Sequence, residues 1–150
     1  MSTYNKILAA VDLTDEADEV VSAALEVAES QGAELHVMTT IRPLSYSYSG
    51  FEPMAVSPAW ANFEAQAKAS AQQWLKKLCE PFAIPVTKIH VSFGRPADEI
   101  KREAEAMAVD LIVVGSHGRK GLGLLLGSTA TGVLHGAKTD VLTVRISADN

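Results

Sequence analysis

Cysteine is nearly absent: Cys79 is the single one in 150 residues, so no intrachain disulfide can form and a reducing compartment is expected. No run approaches the ~18 uninterrupted apolar residues of a membrane span. The apolar run that opens after Lys6 is too short for a signal peptide. A soluble, cytoplasmic chain is the expectation. There is also no dense Lys/Arg run. The 13 basic and 18 acidic side chains leave a formal charge of −5, which excludes the electrostatic footprint of a nucleic-acid binder and disfavours an anionic membrane surface. The four histidines show no metal-ligand spacing, and Cys79 has no CxxC companion, so no structural metal is expected. Aromatic residues amount to 6%, and Trp60 and Trp74 read as helix-packing groups rather than a cofactor box.

What is present is an ordinary globular balance, 47% apolar and 21% charged, of a size that fits one domain over residues 1–150 with no internal repeat. Five short apolar runs alternate with stretches of helical period. Residues 7–11, 35–41, 87–93, 111–114 and 140–145 read as strands. The first predicted helix is capped by Thr14, carries Asp15 and Glu16 in its first turn, and ends before Gly32. Its apolar face holds Val20, Val21, Ala24, Leu25, Val27 and Ala28. Residues 43–58 form a turn-rich loop or lid whose Tyr46, Tyr48 and Phe51 either cover a ligand or stand free. A second helix over 59–79 turns Phe63, Ala67, Ala71, Trp74, Leu75 and Leu78 to one side, and Cys79 packs between helices. A third starts at Pro96 and faces Ala97, Ile100, Ala104, Met107 and Ala108 inward. A short fourth helix covers about 128–135. This βαβαβαβαβ alternation calls for right-handed crossovers and an α/β fold, a parallel sheet with helices on both faces. Unbroken apolar strands agree, because strands covered on both faces need not alternate.

In an open sheet of this kind, ligands bind beyond the carboxyl ends of the strands where strand order reverses. If strands one and four are central neighbours, two distinctive loops meet there. One carries Asp12. The other begins at Gly115, and seven of the ten glycines fall between Gly115 and Gly136. Glycines let backbone N–H groups approach an anion, and Gly127 opens a helix whose first amides, with Ser128 and Thr129, suit a phosphate; Arg119 and Lys120 are nearby cations. Gly132 and Gly136 read instead as helix-packing positions. A Walker A loop is excluded, because Gly127 is followed by Ser128 with no lysine. The dinucleotide fingerprint is neither spaced nor placed correctly, and no GxSxG elbow surrounds Ser128. His117 lies within the glycine loop, either touching a phosphate or exposed. His36 and His90 lie in strands as hydrogen-bonded, partly buried groups, and His135 sits at a helix end.

With Ala10-Val11-Asp12 after strand one, Gly115-Ser-His-Gly118 and Gly127-Ser128 after strand four, and a closing Val-Leu-Thr-Val strand, the whole chain resembles the universal stress proteins. Their signature after strand four is Gly-x2-Gly-x9-Gly-Ser/Thr. The resemblance implies a five-stranded parallel open twisted sheet of order 3-2-1-4-5, adenine-nucleotide α-hydrolase-like, and a homodimer. It implies ATP or AMP as ligand, with Mg2+ held at Asp12 through the phosphates. The cofactor-binding residues would be Ala10, Val11, Asp12, Val37, Val114, Gly115, Ser116, His117, Gly118, Arg119, Gly127, Ser128 and Thr129. Asp12 would face ribose or metal and Val37 would flank the adenine. The dimer would form across the edge strand at Val141, Leu142, Thr143 and Val144.

Here the last two signature glycines are separated by eight residues rather than nine. Two functions therefore stand side by side. One is a regulatory, stress-responsive ATP/AMP-binding homodimer; the other is a nucleotide-independent interaction protein of the family's non-ATP-binding branch. No residue set reads as a general acid/base pair, so at most slow ATPase or autophosphorylation at Ser128 or Thr129 is expected.

Overall fold

The computed structural model describes residues 3–43, 58–116 and 127–146. Its strands are β1 (Lys6–Ala10), β2 (Glu34–Ile41), β3 (Ile89–Phe93), β4 (Leu111–Ser116) and β5 (Asp140–Arg145). The helices between them are α1 (Ala17–Gln31), α2 (Pro58–Cys79), α3 (Pro96–Ala106) and α4 (Ser128–Leu134). The sheet order is β3-β2-β1-β4-β5 and every pairing is parallel, as the βα alternation requires. Ala9 stands opposite Val37 on one side and Val113 on the other, so β1 is paired along both edges.

Both faces of the sheet are covered. Ile7, Ala9, Val37, Leu111 and Val113 pack beneath α1 and α2, against Val21, Ala24, Leu75 and Cys79. Leu8, Ala10, Met38, Ile112 and Val114 point the other way, onto Ile100 and Ala104 of α3 and Ala130 and Val133 of α4. This explains why residues 7–11 and 111–114 show no polar alternation. Burial pushes the Cys79 thiol up to about 11, which makes it a packing group and no nucleophile at neutral pH.

Several local boundaries differ from the sequence expectation. Thr14 does not cap α1. The chain turns twice, with Thr14 N donating to the Asp12 carbonyl at 2.8 Å and Ala17 N to the Thr14 carbonyl at 3.1 Å. The helix therefore starts at Ala17, and its first-turn acids are Asp18 and Glu19 rather than Asp15 and Glu16. Its end is as expected, with Gly32 left-handed at φ 66°. β1 stops at Ala10, one residue early, although Val11 N still donates to the Met38 carbonyl at 2.9 Å. β3 begins at Ile89, because residues 86–88 form a single 3-10 turn. Phe63 is 52% exposed instead of facing inward. A helix of 22 residues runs about 33 Å, whereas β3, with five, covers roughly 17 Å, so only the last turns of α2 reach the core. Ala108 is exposed too: α3 ends at Ala106 and Ala108 takes a left-handed φ of 56° that turns the chain into β4. The side chain of Trp60 and the loop bearing Tyr46, Tyr48 and Phe51 lie outside the described residues. Gly132 is a packing glycine as expected, since a Cβ there would lie 2.6 Å from that of Ala97 where α3 and α4 touch.

His36 and His90 bond to one another across β2 and β3. Glu34 is held down to about 2 by bonds from His36 and Lys88, so its carboxylate is ionised and only accepts. His36 Nε2–H therefore donates to Glu34 Oε2 at 2.6 Å, and Lys88 Nζ stands 3.1 Å from the other oxygen. The other His36 ring nitrogen, Nδ1, is hydrogen-bonded to His90 Nε2 at 2.9 Å. Burial, and then the charge of His36, lower the His90 pKa against the opposing pull of Glu103. The unfolded chain therefore takes up a proton below about pH 6.5 that the folded chain refuses. Stability should fall as pH drops from about 7 through that value, read as a lower urea midpoint, and His90→Asn should flatten the slope. An unchanged slope in the variant would remove His90 as the titrating group.

Candidate ligand-binding crevice

β1 and β4 are neighbours, but their crossovers leave on opposite faces, β1 into α1 and β4 toward α4. A cleft opens between the two departing chains, at the switch point of the sheet. Ala10, Val11 and Asp12 line it from β1, and Val114 and Gly115 from β4. Thr129 of α4 closes a third side. These six expected residues are brought together.

The tip of β1 is held in place from β2. Thr39 is 2% exposed and its hydroxyl donates to the Val11 carbonyl at 2.7 Å. That bond fixes the peptide immediately before Asp12, whose carboxylate side chain is exposed. Gly115 has a packing reason as well as any role toward a ligand. A Cβ there would come within 2.6 Å of Ile146 Cδ1 and 3.0 Å of Val20 Cγ2, so only a glycine lets β4 leave the sheet so close to α1.

Other expected site residues fall elsewhere. Val37 is fully buried in the layer beneath α1 and α2, and the part of β2 that reaches the cleft is Thr39 and Thr40. Ser116 ends β4 half-buried, in register with Arg145, and does not line the cleft. His117, Gly118 and Arg119 lie outside the described residues. Gly127 precedes α4, and its carbonyl accepts from Thr131 N at 3.0 Å.

The cleft floor is narrow, about 30 Å³. Beside it lies a larger cavity of about 470 Å³, which shares Pro96 and Thr129 with the cleft and falls in the size range of small-molecule sites. Ser128 lines this cavity, together with Arg42, Arg95 and Asp98. Sequence reading passed over Thr39, Thr40, Glu16 and both arginines. None belongs to a motif, yet Arg42 directly follows one predicted strand and Arg95 stands two residues past the end of another, where the same rule places ligands. Among the described residues no three His, Cys, Asp or Glu side chains gather as a metal site.

A doubly wound sheet with a cleft at its switch point defines a class of small α/β proteins. Residues 3–145 match the profile of the universal stress protein family, to which the chain therefore belongs. It is 38% identical to universal stress protein A homolog 1 of Coxiella burnetii over 94% of this chain and 96% of that one. Among solved structures it is similar to the universal stress protein UspA from Lactobacillus plantarum, with a TM-score of 0.77 and 24% identity over 97% of this chain and 100% of the other. It is also similar to a universal stress protein in complex with cAMP, with a TM-score of 0.58 and 26% identity over 95% and 98% of the two chains. The five-stranded parallel sheet of order 3-2-1-4-5 expected from the resemblance is thus present.

Thr39→Val keeps shape and removes the bond to Val11, so it should cost about 1–3 kcal/mol in chemical denaturation. A cost within error of zero would mean that the tip of β1 is held by its backbone bonds alone.

Proposed function

We propose that this chain is a small cytoplasmic stress-response protein that binds an adenine nucleotide, ATP or AMP, in the crevice and works as a regulatory homodimer. The observation that carries the reading is the meeting of Asp12, Gly115 and Thr129 at one cleft from three separate elements. The nucleotide class is supported by the similar universal stress protein whose structure holds cAMP.

In this reading the Asp12 carboxylate accepts from ribose hydroxyls or takes one position on a magnesium ion carried by the phosphates. Thr129 and Ser128 donate their hydroxyls to phosphate oxygens, and Thr40 borders the base or sugar. In this reading the function of the cleft is binding rather than turnover. The homodimer forms across β5, the outer strand beside β4. Leu142 there is 37% exposed, and Val141, Thr143 and Val144 are half-buried on an edge with no neighbour among the described residues. Among the described residues no helix is long and apolar enough to cross a membrane.

Calorimetric titration of nucleotide-stripped protein with MgATP should give micromolar binding, about −8 kcal/mol, weakened tenfold or more by Asp12→Ala. No heat up to about millimolar MgATP, weaker than roughly −4 kcal/mol, would instead assign the chain to nucleotide-independent interactions.

A further inference from the structure

We propose that Arg42 and Arg95 form a guanidinium clamp for the outer phosphates of the bound nucleotide, so that this chain selects a nucleoside triphosphate over a monophosphate; the inference rests on the crevice being a nucleotide site. The two arginines are brought together by the register of the sheet. Ile41 at the end of β2 stands opposite Phe93 at the end of β3, and Gly94 N donates to the Ile41 carbonyl at 3.0 Å. Arg42 therefore leaves β2 beside the point where Gly94, at φ 147°, turns the chain toward Arg95 and α3. Both side chains are exposed and both line the 470 Å³ cavity.

Two like charges on one cavity wall repel unless an anion lies between them. Among the described residues, neither guanidinium is hydrogen-bonded or ion-paired. The Asp98 carboxylate also lines the cavity, so the wall carries two positive charges against one negative. A monophosphate whose phosphate meets Thr129 stops at the border of the two spaces. A triphosphate is longer and more negative. Because Thr129 borders both spaces, the chain of phosphates can pass it into the larger one, where two planar forks meet phosphate oxygens.

The test is competition calorimetry of the full chain with ATP and AMP, in the wild type, in Arg42→Gln with Arg95→Gln, and in Asp98→Asn. The wild type should bind ATP about 10- to 100-fold tighter than AMP, the range of one or two charge-assisted bonds. The double variant should bring the ratio toward one, each single variant should fall between, and Asp98→Asn should raise the ratio a few-fold by removing the opposing charge. Inorganic tripolyphosphate should compete with ATP on the wild type and lose that ability on the double variant. A double variant that still prefers ATP as strongly would overturn the clamp while leaving the nucleotide site standing. Absence of binding by both nucleotides to the wild type would overturn the nucleotide reading, and the clamp with it.

Discussion

The central strand has nowhere to meet water. Ile7, Leu8 and Ala9 are fully buried, and β1 is hydrogen-bonded to β2 on one edge and β4 on the other. Burying such side chains contributes about 1.5–3 kcal/mol for each large one, and this must offset the ordering of the chain. The constraint passes outward. A strand covered on both faces needs helices on both, and right-handed crossovers put α1 and α2 on one side and α3 and α4 on the other. The departing chains must then part at the carboxyl end of β1. The cleft is therefore a consequence of burying Ile7 and Leu8 on opposite faces, and whatever stands just past Ala10 becomes its floor.

The bottom of the sheet is braced by polar groups in keeping with this. Both Asn5 N and Lys6 N donate to the Asp110 carboxylate, at 2.9 and 3.0 Å for the shorter bonds, so the entries to β1 and β4 are tied before the apolar ladder begins. Asp110 N returns a bond to the Lys6 carbonyl at 2.9 Å. At the other end the buried hydroxyl of Thr39 fixes Val11. The strand pair is rigid at both limits. The residues facing the cleft sit on these supports, while the charged side chains of Asp12, Arg42 and Arg95 stay exposed.

Much of this was legible in the sequence because the signals were local or periodic. Apolar runs at 7–11 and 111–114 gave buried strands, and their alternation with helices gave the parallel order. The cleft followed from topology once strands one and four were taken as neighbours. The misses have physical causes. Thr14 had cap chemistry, but two backbone turns used the residues that a cap would need. Phe63 had helical spacing, yet spacing does not say where a long helix runs out of sheet. Register also decides which residues of β2 reach the cleft: Val37 stands opposite Ala9 inside the sheet, and Thr39 and Thr40 line the cleft. The arginines at 42 and 95 became neighbours only through the pairing of β2 with β3.

The central claim is that the carboxyl ends of β1, β2 and β4 form one ligand site. Backbone amide spectra of isotope-labelled protein, recorded during a MgATP titration, test it most directly. Saturable shifts concentrated at Asp12, Thr39, Thr40, Gly115 and Thr129, with Asn5 and Asp110 unmoved, are the expected result. Shifts that gather along β5 instead, or spread evenly over the surface, would contradict a nucleotide site at the switch point.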